Sequence, residues 1–231
     1  MEPVAPQPNL PFQTKARSSG PARSDRAYRS PLAWTVLLIV LMLGLAADLA
    51  SKAWAFQGIQ LDRQMLLRNP DWHPPPDEPV ALMPWRLLDL NRVINRGAVF
   101  GIGTNQRFFF ITFTLGALVV GLVVFGRMTT RRHPLAHIAI GLILAGGVGN
   151  LYDRIVFSVV RDFLHMLPGR PLPFDWRWPG GSPELFPWVF NVADMLLLLG
   201  MILLMIHMSR LEKSRKAAAQ PATTSPESVS V

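Results

Sequence analysis

Two aspartates lie beside long apolar segments, where a charged side chain is energetically costly. Asp162 lies in Val-Val-Arg-Asp-Phe-Leu, just beyond one apolar segment, and Asp194 lies in Phe-Asn-Val-Ala-Asp, in the first turns of a Leu-rich one. An ionised carboxylate costs at least ~2.5–3.5 kcal/mol at the centre of a bilayer, so such residues are functional candidates. Two neighbouring carboxyl groups can share a proton, so that one polarises a carbonyl while the other activates water. The two residues therefore predict acid–base chemistry at a membrane surface.

Other polar residues could support such a site or have structural roles only. Asp48 and Lys52 are four residues apart on one helical face, so they can form a structural ion pair, or they can help to orient a substrate. Asn191 precedes Asp194 by three residues and could cap a helix whose positive end favours the carboxylate. Capping explains one polar residue but does not explain a carboxylate within apolar turns.

A glycine-rich sequence at 146–149 ends another apolar segment and is followed by polar residues. Small residues let a second helix approach closely, which is a packing role. Asn150, Asp153 and Arg154 then share one helical face, because they are three and four residues apart. Asp153 and Arg154 could neutralise each other, or Arg154 could bind a substrate carbonyl. The sequence leaves both possibilities open.

Four apolar segments are long enough to cross a membrane. The chain has 231 residues, of which 50% are hydrophobic and 16% are charged. Residues 32–47, 108–126, 135–149 and 195–206 are almost free of charge, and with their flanks they approach the ~20 residues that a spanning helix needs. We predict one membrane domain over 31–209, with spans at 32–54, 107–127, 134–153 and 188–208. Residues 1–30 and 210–231 are predicted to be disordered tails.

The basic residues indicate the orientation of these spans. Arginines and lysines precede the first span, fill the loop after the second and follow the fourth. The positive-inside rule places these regions in the cytoplasm, and it places the loops at 57–106 and 154–187 outside. This distribution also argues against nucleic acid as the reason for the net charge of +8. A cleaved signal peptide is disfavoured, since Asp48 and Lys52 follow the first apolar run at helical spacing.

The outward loops are predicted to contain little regular structure. Residues 87–94 partly alternate between apolar and polar types, which indicates a small β-structured or interfacial piece, whereas the second loop is rich in Pro and Gly and is predicted to be irregular. The chain has no cysteine, which excludes disulfides, thiolate nucleophiles and cysteine-ligated metals. The five histidines are scattered, so we expect no metal and no other cofactor. His165, three residues from Asp162, is a weaker candidate for a base or a ligand.

Five short motifs, in order along about 32–209, resemble those of the bacterial lipoprotein signal peptidases, also called the signal peptidase II family. They are Asp48-x-x-x-Lys52, Asn95-Arg96-Gly97-Ala98-Val99-Phe100-Gly101, Gly146-Gly147-x-Gly149-Asn150-x-x-Asp153-Arg154, Val160-Arg161-Asp162-Phe163 and Phe190-Asn191-x-Ala193-Asp194. Val99 stands where the family usually has a second alanine, and Arg161 stands where a small apolar residue is common. The segments 57–94 and 164–187 also look longer than usual.

The resemblance implies an all-α membrane protein with four transmembrane helices and a small outward β-cradle. It implies an intramembrane aspartyl endopeptidase that cleaves prolipoproteins before their diacylglyceryl-modified cysteine, with Asp162 and Asp194 as its catalytic pair. The candidates for binding the substrate are Asn95, Asn150, Arg154 and Asn191, and those for supporting the site are Asp48, Lys52, Asp153 and Gly97. The expected location is the bacterial inner membrane, with both termini cytoplasmic and the site near the outer leaflet. The expected partners are lipid-modified prolipoproteins and membrane phospholipid, and the protein is expected to act as a monomer.

Two other classes of protein could carry acidic residues in a membrane. A carboxylate-relay transporter would place its acids nearer mid-membrane, within broken helices, and would conduct protons or ions. A non-catalytic assembly factor would use the Gly-rich and aromatic faces to bind partner helices, and it would not need either aspartate. The collection of polar residues at one interface favours hydrolysis over both.

Overall fold

A computed structural model describes residues 25–75, 80–97 and 107–219 of the chain. The helices are α1 (Pro31–Ala55), α2 (Arg63–Arg68), α3 (Arg107–Val123), α4 (Pro134–Val156) and α5 (Val192–Ala219). The strands are β1 (Val80–Ala81), β2 (Leu88–Asn95), β3 (Val160–Met166) and β4 (Val189–Phe190). Three short 3₁₀ segments cover Ala27–Arg29, Pro84–Arg86 and Pro173–Asp175, and α3 ends in a π-helical turn over Val124–Met128.

Within the described residues, four helices are long and apolar enough to cross a membrane, as the sequence predicts. Local sequence sets their beginnings. The Ser30 hydroxyl accepts a hydrogen bond from the N–H of Ala33, and Pro31 and Pro134 occupy first-turn positions where no amide hydrogen is needed. α4 is the central helix: 67% of its apolar 18-residue stretch is buried, compared with 6% of the corresponding stretch of α3. α4 packs mainly against α1 and α5, so most of α3 faces outward.

The described strands form one antiparallel sheet in the order β1-β2-β3-β4. Its two long strands are β2 and β3, with Val93 opposite Asp162 and Asn95 opposite Val160. A register shift between Leu90 and Val93 interrupts the pairing. The sheet packs on the end of α1 through a core made of Ala55, Phe56, Leu66, Ile94, Val159, Phe163 and Leu164. The β-structure predicted at 87–94 is therefore confirmed as β2, and its partner strand β3 carries Asp162, one of the two candidate acids.

Several predicted boundaries differ from the structure. The last span, predicted to begin at 188, begins at Val192, because residues 189–190 form β4. The second outward loop, predicted to be irregular, contains β3, because residues 160–166 pair with β2 and all but the last of them are buried. The predicted C-terminal tail is helical up to Ala219, since α5 continues through residues with good helix propensity and a Glu212–Lys216 ion pair of 2.7 Å. The predicted N-terminal tail contains the Ala27–Arg29 turn, which packs against the loop between α3 and α4.

Candidate active site

Asp162 on β3 and Asp194 at the start of α5 are brought together in the fold. Asp162 lies in the middle of β3 and is 2% exposed, whereas Asp194 lies half-buried in the first turn of α5. One residue touches both: the Asn191 side-chain amide donates to Asp162 Oδ1 at 2.6 Å, and the Asn191 backbone N–H donates to Asp194 Oδ2 at 3.1 Å. The two acids, 32 positions apart in sequence, therefore flank a single asparagine.

Asn191 and Asp194 cap α5 reciprocally. The Asn191 Oδ1 accepts the N–H of Asp194 at 3.1 Å while the Asp194 carboxylate accepts the N–H of Asn191. This arrangement satisfies two backbone donors at the helix start, in the manner of a capping box. The capping interpretation is thus confirmed, and Asp194 belongs to the first turn rather than to the apolar turns beyond it. Capping uses Oδ2 of Asp194, whereas its Oδ1 accepts a hydrogen bond from the Asn150 side chain.

Three asparagine side chains hold the two carboxylates from different elements. Asn95 of β2 donates to Asp162 Oδ2 at 3.0 Å, and Asn150 of α4 donates to Asp194 Oδ1 at 2.8 Å. Asn191 also donates to the side-chain oxygen of Asn150 at 3.1 Å. These asparagines were predicted to hold substrate, but here their amide groups hold the acids. Contact with a substrate stays a prediction for all three.

The pKa of Asp162 is raised from 3.8 to about 7. Burial is the main cause, because it penalises the charged form, and the neighbouring Asp194 adds to it. Hydrogen bonds from Asn95 and Asn191 act in the opposite direction. Near neutral pH, Asp162 is consequently able to hold a proton beside a second carboxyl group, which is the protonation state that general acid–base hydrolysis needs.

Asp48 and Lys52 form the buried ion pair that their spacing predicts. Lys52 Nζ lies 2.9 Å from Asp48 Oδ2 and 3.5 Å from Asp153 Oδ2, and it donates to Asn150 Oδ1 at 3.0 Å. Asp48 Oδ1 accepts the backbone N–H of Ala193 at 2.8 Å, which ties α1 to the first turn of α5. The pair therefore has a structural role and also touches a residue that holds the acids.

The structure pairs Asp153 with Arg161 rather than with Arg154. The Arg161 guanidinium lies 2.8 Å from Asp153 Oδ1, and the backbone N–H of Arg161 donates to Asp153 Oδ2 at 3.0 Å. The Arg161 guanidinium also stacks 4.6 Å from the centre of the Phe157 ring. This contact fixes the backbone immediately before Asp162. Sequence reasoning singled out Arg161 only as a departure from a motif and missed this partnership.

Arg154 lies beside the acids without a direct ion pair in the described part of the chain. Its guanidinium stacks 5.2 Å from the centre of the Phe110 ring and donates to the Asn150 carbonyl at 3.4 Å. It interacts electrostatically with Asp194, Asp162 and Asp153. The interpretation that Asp153 and Arg154 neutralise each other as an isolated ion pair is therefore wrong. A role for Arg154 in binding a substrate carbonyl stays a prediction.

Gly97 lies two residues after the end of β2. Its N–H donates to Asn95 Oδ1 at 3.0 Å, a two-residue turn that orients the Asn95 amide toward Asp162. The rest of this motif, Ala98 to Gly101, lies outside the described residues. His165 lies on the opposite face of β3 from Asp162, and its Nε2 is 3.2 Å from the Glu184 carboxylate. A role for His165 as a base is therefore not supported by its position.

The charges of the site balance only when the acids retain a proton. The described network contains four carboxylates and three cations, namely Asp48, Asp153, Asp162 and Asp194 with Lys52, Arg154 and Arg161. Uncompensated charge is expensive in a buried environment. One proton shared by Asp162 and Asp194 makes this network neutral. Such a pair can protonate a carbonyl oxygen while its second carboxylate accepts a proton from water.

Comparison with known proteins identifies relatives of this chain. The sequence model of the family described as signal peptidase (SPase) II matches residues 40–210. The lipoprotein signal peptidase of Methylorubrum extorquens is 33% identical over 193 residues, which cover 80% of this chain and 90% of that protein. The one of Clostridioides difficile is 30% identical over 181 residues, which cover 78% of this chain and 98% of that protein.

A solved structure shares the fold. It is described as a bacterial membrane enzyme, and the two superimpose with a TM-score of 0.57 at 21% sequence identity. The match covers 85% of this chain and 97% of that structure. At this level of identity, the likeness concerns the fold alone.

Proposed function

Because the chain belongs to the signal peptidase II family, we propose that Asp162 and Asp194 are its catalytic pair. The protein is a multi-pass membrane aspartic endopeptidase that removes signal peptides from lipoprotein precursors. The transporter and assembly-factor alternatives are not favoured. The observation that carries the proposal is the single asparagine, Asn191, whose amide and backbone N–H groups contact both carboxylates.

The two acids take different roles in the proposed reaction. Asp162 is buried and its pKa is about 7, so it carries the shared proton. Asp194, whose Oδ2 accepts the Asn191 N–H at the start of α5, takes the role of the base. Asp194 takes a proton from water as the water oxygen attacks the carbonyl carbon before the lipid-modified cysteine. Asp162 gives its proton to the carbonyl oxygen, which stabilises the tetrahedral intermediate.

Collapse of that intermediate completes the cleavage. The proton gained by Asp194 passes to the leaving nitrogen, the carbon–nitrogen bond breaks, and Asp162 recovers a proton from the intermediate's hydroxyl. The products are the signal peptide with a new carboxyl end and the lipoprotein with a new amino end. Every proton taken from water is thereby returned to a product or to the pair.

Amide substitutions of the two acids test this assignment. We expect Asp162→Asn and Asp194→Asn each to lower the turnover of a fluorogenic diacylglyceryl lipopeptide by about 10²–10⁴-fold, because each removes one member of the proton exchange. Asp175→Asn is the matched control, since Asp175 is exposed in the second outward loop. Near-normal turnover by either site variant, with an unchanged melting temperature, would contradict the proposal. Proton flux through liposomes that carry the protein would instead support the transporter.

We propose further that both termini face the cytoplasm, that the site opens near the outer leaflet and that the enzyme acts as a monomer. The basic clusters beside the spans support the orientation. One chain supplies both acids and the residues that hold them, which supports the monomer. The chain has no cysteine, so Ser182→Cys and Ser214→Cys give single labels in the outer loop and after the last span. An impermeant maleimide applied to intact cells should label the first and not the second, and the reverse result would overturn the orientation.

A further inference from the structure

A groove of 740 Å³ lies at the end of α3 that is remote from the two acids. Its walls come from two separate parts of the chain. They are Val119, Leu122, Val123, Gly126 and Arg127 on one side, and Arg26 and Tyr28 on the other. The groove is apolar along α3 and basic at its end, and the reaction described above does not use it.

The groove exists because the segment before α1 folds back onto the loop after α3. The Ala27 N–H donates to the Thr129 carbonyl at 3.1 Å, and the Arg131 N–H donates to the Asp25 carbonyl at 2.9 Å. Ala27 is fully buried in this contact. Tyr28 is thereby held beside Gly126, which has no side chain to fill the space. Gly126 and Arg127 belong to the π-helical turn over Val124–Met128, and such turns frequently occur at functional sites.

Two arginines line the basic end of the groove. The Arg26 guanidinium donates to the backbone carbonyl of Arg127, so the two residues are joined. The nearest acid of this segment, Asp25, pairs with Arg131 at 3.3 Å. Among the ion pairs of residues 25–75, 80–97 and 107–219, none engages Arg26 or Arg127. Both guanidinium groups can therefore bind an anion.

The apolar part of the groove has the dimensions and the surroundings of an acyl-chain site. Val119 and Arg127 are eight residues apart, which corresponds to about 12 Å along the helix. Only 6% of the apolar stretch of α3 is buried. Because α3 forms one side of the groove, the groove opens toward the membrane. A ligand that suits both parts carries an anionic headgroup and a hydrocarbon chain.

We propose that this groove binds one anionic phospholipid of the inner leaflet. Its phosphate bridges the guanidinium groups of Arg26 and Arg127, and an acyl chain lies along Val119, Leu122 and Val123. Arginine is suited to this role because its planar donors match phosphate oxygens, and basic pockets on the cytoplasmic side of membrane proteins bind anionic headgroups. The choice of leaflet rests on the proposed orientation, whereas the binding itself does not depend on it.

Native mass spectrometry of the full-length protein in neutral detergent tests the proposal. With phosphatidylglycerol and phosphatidylcholine of identical acyl chains, we expect one phosphatidylglycerol to bind at least tenfold more tightly than phosphatidylcholine. Arg26→Gln combined with Arg127→Gln should abolish this preference. Arg132→Gln combined with Arg215→Gln is the control, because it removes the same charge from exposed positions outside the groove and should keep the preference.

A second variant tests the apolar part and separates lipid binding from general charge attraction. A Cβ at Gly126 would meet only the Tyr28 Cβ, at 3.6 Å, so Gly126→Leu fills the groove without a backbone clash. It should lose the bound phospholipid although both arginines remain. Retention of phosphatidylglycerol by Gly126→Leu or by the Arg26/Arg127 variant would overturn the proposal, as would equal binding of both lipids by the wild type. A wild-type dimer that these variants dissociate would show that a second copy occupies the groove, which also overturns it.

Lipopeptide hydrolysis distinguishes this inference from the proposed function. The groove variants should retain wild-type turnover in neutral detergent, because none of their side chains touches the acids or the residues that hold them. Lipid binding is likewise expected to persist in Asp162→Asn and Asp194→Asn.

Discussion

At the scale of single residues, the site depends on asparagine side chains that set how tightly Asp162 holds its proton. A neutral amide donor stabilises a carboxylate without introducing a charge, so it tunes the pKa without adding a buried ion. Asn95 and Asn191 both donate to Asp162, and both oppose the rise that burial causes. The pKa of about 7 is a balance between these effects.

The pH dependence of the wild-type enzyme follows from this balance. The raised pKa means that Asp162 keeps its proton up to about pH 7 and loses it above. We therefore expect kcat to fall as the pH rises through about 7, because the proton donated to the carbonyl is lost. The same shift lowers the free energy of unfolding as the pH rises from about 4 to about 7, since the folded state binds the proton more tightly than the unfolded state.

Asn95→Ala is expected to move this fall in kcat, the alkaline limb of the pH profile, to higher pH. It removes a hydrogen bond that favours the ionised form of Asp162, so the pKa of Asp162 rises. The measurement is kcat for the lipopeptide across pH 5–9. Asn69→Ala is the control, because the Asn69 side chain lies in the first outward segment and donates to the Met65 carbonyl rather than to either acid. An alkaline limb that stays in place or moves to lower pH in Asn95→Ala would show that Asp162 does not govern it.

At the scale of elements, the start of α5 must lie directly against α4 for the acids to meet. Gly146 provides this contact, because a Cβ there would collide with the Ala193 carbonyl and lie 2.8 Å from Leu197 Cγ. Ala193 immediately precedes Asp194, so a displacement of this turn moves the acid as well. The glycines at 146–149 consequently have the packing role that the sequence suggests, and this packing positions the site.

Gly146→Ala should lower both stability and activity. The added methyl group faces a backbone oxygen that cannot rotate away, and overpacking of this kind costs about 1–3 kcal/mol. Gly116→Ala is the matched control, because a Cβ at Gly116 meets nothing within 4 Å on the outward face of α3. We expect a lower melting temperature in detergent and reduced lipopeptide turnover for Gly146→Ala only. Equal behaviour of the two variants would mean that this close contact does not position Asp194.

The elements also show what the sequence could and could not predict. The spans were predictable because apolar runs of this length have few other uses, and the acids were predictable because charge beside such runs is rare. The Arg161–Asp153 pair was not, since it depends on the angle at which β3 leaves α4. The helical end of α5 was not predicted because this segment has little apolar surface to bury, although continuing an existing helix needs no new nucleation.

At the scale of the whole molecule, the buried charges join three membrane helices and the sheet into one unit. Lys52 of α1 contacts Asp48 on its own helix and both Asp153 and Asn150 on α4, while Asp48 binds the first turn of α5. Lys52 and Asp48 are fully buried. The charge balance of the site is therefore also a constraint on how the helices assemble.

Lys52→Met tests this constraint. It leaves Asp48 buried without its ion-pair partner, and breaking a buried pair in this way costs about 3–5 kcal/mol. Adding Asp48→Asn should restore most of the melting temperature, because asparagine is neutral and keeps an oxygen for the Ala193 N–H. The double variant should nevertheless keep an alkaline limb at higher pH than the wild type, since Lys52 lowers the pKa of Asp162.

The chain contains its own control for this experiment. Glu212 and Lys216 have the same i,i+4 spacing as Asp48 and Lys52, but their side chains are 66% and 75% exposed. Exposed helical pairs contribute about 0.3–0.5 kcal/mol, so Lys216→Met should barely change the melting temperature. If Lys52→Met proves as mild as Lys216→Met, or if Asp48→Asn fails to rescue it, the buried charges do not stabilise one another. In that case charge balance would not explain the shared proton, and the raised pKa of Asp162 would rest on its burial and on the neighbouring Asp194.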